Sequence, residues 1–189
     1  ATSYTVKHVV DGKEMTEDTR TYTGTAWIND ENPMIAIVDG SVTPKEYTGY
    51  KYASTTPDVQ AGDSVASGSE IILTYVKDEE QVKTLSYTVK YTLEGVEQED
   101  FTKTYTKTVW VNEDDNLAVQ EGSIDQLNFQ GYKFDSITPE VEVGTEVVSG
   151  STITLNYVKD EEQTKTVSYR VEYYKDKVLV DEDSYTKTK

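Results

Sequence analysis

Four kinds of side chain in this sequence are candidates for chemistry. The first is histidine, and His8 is the sole one in 189 residues. A catalytic base needs a nucleophile or substrate proton within reach, with a group behind it to orient the ring. No Ser-His-Asp or Cys-His pattern accompanies His8, so it reads as a residue on the semi-buried face of a strand. The second is the carboxylate. With 35 acidic residues, neighbouring pairs arise by chance. A glycosidase needs two carboxyls held across a cleft, and nothing in the spacing singles out such a pair. The third is an oxygen-rich loop, Asn112-Glu113-Asp114-Asp115-Asn116. It lacks the Asp-x-Asp-x-Asp-Gly spacing and distal Glu of an EF-hand, and reads as a solvated loop rather than a metal site. The fourth is tryptophan. Trp27 and Trp110 each precede an acidic loop, and Trp is a frequent anchor at protein interfaces. One reading has the ring closing the end of a small core. The other has it exposed in a binding face with Asn29, Asp30 and Glu31, or with Asn112, Glu113 and Asp114. The expectation is a protein with no catalytic residues, no metal and no cofactor.

The elements that position these residues come in copies. Ser3-Tyr4-Thr5-Val6-Lys7 returns as Ser86-Tyr87-Thr88-Val89-Lys90 and again as Ser168-Tyr169-Arg170-Val171-Glu172. Trp27 corresponds to Trp110, and Gly49-Tyr50-Lys51 to Gly131-Tyr132-Lys133. Lys77-Asp78-Glu79-Glu80-Gln81 recurs as Lys159-Asp160-Glu161-Glu162-Gln163. A fixed period in sequence is the signature of a repeat architecture. The expected modules are 1–85 and 86–167, with 168–189 the opening hairpin of a third.

Within a module the pattern is that of strands. Tyr4, Val6, His8 and Val10 alternate onto one face, and Ile71, Leu73 and Tyr75 (in copy two Ile153, Leu155 and Tyr157) do the same near the end. Asp11-Gly12 and Glu94-Gly95 are turn pairs that supply positive φ, so each module opens with a hairpin. Its second arm is the Thr-rich run Thr19–Trp27 or Thr102–Val111, the candidate edge for strand addition by a partner. Ser123 to Asn128 reads as one or two helical turns capped by Ser123, with Ser41 to Tyr47 as its counterpart. The expected fold class is α+β, mostly β: small β-grasp modules stacked end to end, each with at most one short helix.

Composition narrows the function. A net charge of −17 opposes nucleic acid, whose phosphates need Lys and Arg, and also opposes charge-driven membrane binding. No apolar run is long enough to span a bilayer. There are no cysteines and therefore no disulfides. A Lys–Asn or Lys–Asp isopeptide staple stays open as a substitute. No signal peptide or sorting tail is present, so the stretch reads as internal to a longer protein.

The Tyr-Thr-Val-Lys-Tyr start, the Gly-Tyr-Lys-Phe-x-Ser-x-Thr-Pro centre and the Gly-Ser-x-Ile-x-Leu-x-Tyr-Val-Lys end resemble the MucBP (mucin-binding protein) repeats of Gram-positive gut bacterial surface proteins. The Trp with its acidic loop departs from the commonest MucBP pattern and is similar to repeats of clostridial commensals, some of which bind immunoglobulin. The resemblance implies a ubiquitin-like β-grasp fold, an extracellular location on a cell wall anchored through other regions, and adhesion to a secreted host glycoprotein, immunoglobulin or mucin. The alternative is a passive stalk that displays a distal binding domain. Either way the expected state is an elongated monomer.

Overall fold

The computed structural model describes residues 1–189. The chain divides into two compact units, Ala1–Leu85 with Lys107–Asp115, and Ser86–Thr106 with Asn116–Lys189.

Unit 1 is built on a mixed sheet. Its strands are β1 (Thr2–Val10), β2 (Lys13–Glu14), β3 (Arg20–Gly24), β4 (Met34–Ala36), β5 (Tyr50–Thr56), β6 (Ser64–Ala66) and β7 (Ser69–Lys77). The sheet runs β2-β1-β7-β5, with β3 also on β1. β1 is antiparallel to β2 and β3 and parallel to β7, Tyr4 opposite Ser69 and Val10 opposite Tyr75. β4 and β6 form a separate ribbon. The alternation in β1 is complete: every second residue from Thr2 to Val10 is buried. Because successive side chains of a strand face opposite ways, this stripe meets Ile71, Leu73 and Tyr75 of β7 in one core with Ile35, Ile37 and Val65. The hairpin turn is as the sequence predicts, with φ +47° at Asp11 and +78° at Gly12.

Unit 2 repeats the plan. It uses the strands β8 (Val82–Leu93), β9 (Val96–Glu97), β10 (Lys103–Trp110), β11 (Asn116–Ala118), β12 (Tyr132–Thr138), β13 (Glu146–Val148) and β14 (Ser151–Lys159). The order is β10-β8-β14-β12, with β8 and β14 parallel. Two further strands, β15 (Ser168–Lys175) and β16 (Val178–Thr188), pair only with each other. β15 has the sequence pattern of β1 without a parallel neighbour, and its residues are almost all exposed.

Two expectations are corrected. First, there is no α-helix; the only helical pieces are 3-10 turns at Thr16–Asp18 and Glu99–Phe101. The Ser123 segment is a turn followed by irregular chain. Its polar groups are held by tyrosines instead of by a helix ladder. Tyr87 donates its hydroxyl proton to Ser123 Oγ at 2.8 Å and accepts the Gln120 amide at 2.8 Å. Tyr91 and Tyr157 donate to the carbonyls of Asp125 and Leu127, at 2.7 and 2.8 Å. Carbonyls and hydroxyl engaged in this way replace the bonds a capped helix would have made. In unit 1 Tyr4 binds Ser41 and the Val38 amide in the same manner, and Tyr75 accepts the Lys45 amide. Second, in unit 1 the arm expected over Thr19–Trp27 is shorter, β3 running Arg20–Gly24 and stopping short of Trp27, whereas in unit 2 β10 (Lys103–Trp110) covers nearly all of the expected Thr102–Val111.

Candidate partner-binding site

The segment after each Trp is the same small turn. The Asp30 amide donates to the Trp27 carbonyl at 3.1 Å, and the Glu113 amide to the Trp110 carbonyl at 3.0 Å. Their surroundings differ. Trp110 lies edge-on to Tyr50, ring centroids 5.4 Å apart and planes at 88°. Its indole N–H donates to the Gly49 carbonyl at 3.1 Å, and the Asn112 side-chain amide donates to the Thr48 carbonyl at 2.7 Å. The Val111 amide donates to the Gln81 carbonyl at 2.8 Å. Lys77 Nζ stands 4.8 Å from the ring centroid, a cation–π geometry. Gly49 is required here twice over. Its φ is +86°, and a Cβ would lie 2.8 Å from Trp110 Cζ2 and nearer still to Asn112 Nδ2. Trp27, by contrast, is 71% exposed and Ile28 91%.

Among the residues singled out from sequence, the structure therefore brings Trp110 and Asn112 onto the Gly49–Tyr50 corner. Trp27, Asn29, Asp30 and Glu31 stand in solvent, and the side chains of Glu113 and Asp114 are exposed. The oxygen-rich loop already holds a cation: Lys83 Nζ donates to the Glu113 carbonyl and pairs with Asp115 at 2.8 Å. No group of three or more His, Asp or Glu side chains is placed to hold a metal ion.

Sequence reasoning passed over a second feature. Beside β5 a cleft of about 740 Å³ is lined by Lys45, Glu46, Tyr47, Tyr50, Lys51 and Tyr52, among others. The irregular segment supplies Lys45 and Tyr47, and β5 supplies Lys51 and Tyr52. Lys45 Nζ pairs with Asp18 at 2.5 Å, and Tyr47 donates to the other Asp18 oxygen at 2.7 Å. The hydrogen bond from Lys45 holds the Asp18 carboxyl below its usual range. Burial, helped by Asp18, pushes the Tyr47 hydroxyl well above the usual phenol range. Lys51 is only loosely held, 3.9 Å from Asp78. The result is a cleft with three tyrosine rings and two ammonium groups, the latter set against the carboxylates of Asp18, Glu46 and Asp78. In unit 2 the positions of Lys45, Tyr47 and Tyr52 carry Leu127, Phe129 and Phe134. That contrast between the copies was the available signal.

No protein-family model matches the chain, and no curated protein sequence does. Among solved structures it is similar to Streptococcal High Identity Repeats in Tandem (SHIRT) domains 3–4 from a cell surface protein. There the TM-score is 0.38 and the identity 14%, over 85% of this chain and 99% of that one. It is also similar to the type 2 repeat of the mucus binding protein MUB from Lactobacillus reuteri, with a TM-score of 0.27 and 14% identity over 85% of this chain and all of that one. These neighbours are, by name, repeats of a cell surface protein and of a mucus-binding protein.

Proposed function

We propose that this chain is a non-catalytic segment of a bacterial cell-surface adhesin, made of repeats 1–85 and 86–167 and the opening hairpin 168–189, that binds a secreted host glycoprotein such as mucin or immunoglobulin. The protein is extracellular and anchored to the wall through other regions. A β-grasp reading of each repeat, without its helix, is supported by the parallel central pair and the order β2-β1-β7-β5.

The observation that carries the binding reading is the Tyr/Lys cleft of unit 1. Acidic glycans are repelled at long range by a protein of charge −17, so recognition rests on short-range contacts from tyrosine faces and individual Lys donors. Tyrosine faces offer apolar area with a polar tip, and Lys offers donors to sialate or sulfate. The test is to immobilise the 189-residue chain and measure binding of mucin, desialylated mucin and immunoglobulin A at low and physiological salt. The expected result is mucin binding that falls about tenfold in Lys51→Ala and in Tyr52→Ala, at unchanged melting temperature. No binding to any of the three overturns the reading. A second reading, a spacer that holds a binding head away from the wall, is favoured by the seating of Trp110 on Gly49, where a tryptophan serves internal packing.

A further inference from the structure

Three hairpins of the chain turn on the same backbone. φ is +47° and +78° at Asp11-Gly12, +48° and +80° at Glu94-Gly95, and +46° and +68° at Asp176-Lys177. Positive φ at both central residues is the type I′ turn, whose companion in two-residue hairpin loops is type II′. The side chains differ. Asp11 and Gly12 are exposed, and a Cβ built at Gly12 would meet nothing within 4 Å. The Asp11 amide is fixed on the Tyr75 carbonyl at 3.0 Å, while its carboxylate takes part in no hydrogen bond or ion pair. The Glu94 carboxylate instead accepts the Lys159 amide at 2.5 Å. A second Asp-Gly pair, Asp39-Gly40, sits in another kind of turn. There φ is positive at Gly40 (+78°) but not at Asp39, and the Ser41 amide closes the turn on the Val38 carbonyl at 3.1 Å.

We propose that Asp11-Gly12 is a site of spontaneous covalent modification, at which aspartate isomerises to isoaspartate through a cyclic imide. The Gly12 nitrogen attacks Asp11 Cγ. A C–N bond forms, the Cγ–OH bond breaks, and the Gly12 amide proton leaves with that hydroxyl as water. Water then adds to one of the two imide carbonyls. Opening at the main-chain carbon leaves the peptide bond on Cγ and gives isoaspartate; opening at Cγ restores aspartate. Water is the only co-reactant. Ring closure draws the Gly12 nitrogen to the Asp11 side chain by rotating ψ of Asp11, which is the rotation that carries type I′ to type II′. Asp11 already has the positive φ that both turns share, and Gly12 bears no side chain to obstruct the flip. The hairpin therefore tolerates the imide. At Asp39 the ring fits only the mirror turn, and reaching it breaks the Val38–Ser41 bond that sets Ser41 against the Tyr4 hydroxyl. Glu94 closes a ring one atom larger and has to leave the Lys159 amide. Lys177 screens its own nitrogen with a side chain. Isoaspartate lengthens the main chain by one atom inside the loop. The Val9–Glu14 and Val10–Lys13 pairs that make up β2 then lose register, as does the bond from the Met15 amide to the His8 carbonyl. Unit 1 thus carries a clock that unit 2 lacks, whatever host molecule is bound.

The test incubates the full chain in heavy-oxygen water, folded and in guanidinium chloride, and maps the label by peptide mass spectrometry. Each passage through the imide places one label, and fragmentation separates isoaspartate from aspartate. In the unfolded chain Asp11-Gly12 and Asp39-Gly40 are the same dipeptide and should react at nearly equal rates. In the folded chain Asp11 should react about tenfold faster than Asp39, a barrier difference of about 1.4 kcal/mol, with no label at Glu94 and little at Asp176. Asp11→Glu, which copies the unit 2 turn, should abolish labelling there, and Glu94→Asp should create a new site. A folded chain in which Asp11 reacts no faster than Asp39, or a Glu94→Asp chain that gains no label, overturns the proposal. Both variants lie on exposed turns and exchange residues the two repeats already use, so both fold. Chain aged to isoaspartate should show a lower urea midpoint for unit 1 alone, and an equal loss in both units would overturn the placing of the damage at this turn. Host binding is read separately on fresh chain, and its absence would leave these results untouched.

Discussion

Unit 1 and unit 2 lay the same parallel pair of strands against different polar groups, and the difference begins at one position. His8 in β1 is Tyr91 in β8. In unit 1 the Tyr75 hydroxyl accepts the Lys45 amide at 2.8 Å and lies 2.9 Å from His8 Nδ1. A hydroxyl that accepts one bond best completes its geometry by donating the other, which calls for a neutral His8 with its proton on Nε2. Burial, reinforced by the nearby Lys45 ammonium, lowers the His8 pKa accordingly. In unit 2 Tyr91 and Tyr157 reach main-chain carbonyls directly, and Phe101 and Phe129 fill the space with edge-on rings. Burial first, then the neighbouring Tyr157, pushes the Tyr91 hydroxyl up to about 12. The apolar stripe is common to both units and builds the sheet. The polar layer varies freely as long as each buried donor and acceptor finds a partner. The unit 1 version places Lys45 and Tyr47 beside its cleft, where unit 2 has Leu127 and Phe129.

Deleting one hydroxyl in each unit should break the symmetry most. Tyr75→Phe strands both the Lys45 amide and the His8 ring nitrogen, and should cost about 2–3 kcal/mol. Tyr157→Phe strands only the Leu127 carbonyl and should cost about 1 kcal/mol. Urea unfolding measures both. Tryptophan fluorescence reports on unit 1, which contains Trp27 and Trp110, and amide NMR signals report on unit 2. Equal costs would mean that the His8 contact contributes nothing.

Acid sharpens the same comparison with a smaller effect, since protonating His8 turns its Nδ1 from acceptor to donor toward Tyr75 and leaves the Lys45 bond in place. The folded-state pKa lies below the usual 6.5, so the unfolded chain takes up the proton more readily. Stability from this site is complete above pH 6.5 and is lost as pH falls below it toward the folded value. The charged groups facing the ring act in opposite senses, with Lys45 lowering the pKa and Asp18 raising it. Asp18 itself titrates far below this window, with its carboxyl held under 3.8. Between pH 7.5 and 5.5 the urea midpoint of unit 1 should drop more than that of unit 2, and His8→Gln should abolish the extra drop. An unchanged pH slope in His8→Gln would remove histidine from the explanation.

The sequence made the apolar stripes readable because they are local. Tyr4, Val6, His8 and Val10 alternate within one strand, and Asp11-Gly12 specifies its own turn. The helix assigned to Ser123 was misread because its competitors lie far away in sequence. Tyr87, Tyr91 and Tyr157 are each 30 or more residues from the groups they bind, and no local pattern announces them. The cleft was hidden for the same reason. Lys45 and Tyr47 are unremarkable until the fold sets them beside Lys51 and Tyr52 of β5. The two tryptophans show the limit most sharply. Trp27-Ile28-Asn29 and Trp110-Val111-Asn112 are near-identical strings with the same turn, and only the surface facing each decides whether the ring is seated or exposed.

The smallest expected effect isolates that seat. Lys77 and Lys159 close equivalent strands, and each pairs with the Glu two residues on, at 3.2 Å in both cases. Only Lys77 has an indole beneath it. Because the exposed ion pairs are alike and worth little, they cancel when Lys77→Ala is compared with Lys159→Ala. The residual difference is the cation–π contact, about 0.5–1 kcal/mol for a partly exposed pair. Lys77→Ala should therefore lower the fluorescence-detected midpoint slightly and shift the Trp110 emission toward that of a solvated ring, while Lys159→Ala should leave its unit unchanged within error. Lys77→Arg, which keeps a cation over the ring, should recover the loss. If Lys77→Ala and Lys159→Ala cost the same, the ammonium above Trp110 is a bystander, and the seat rests on the Gly49 carbonyl and the Tyr50 edge alone.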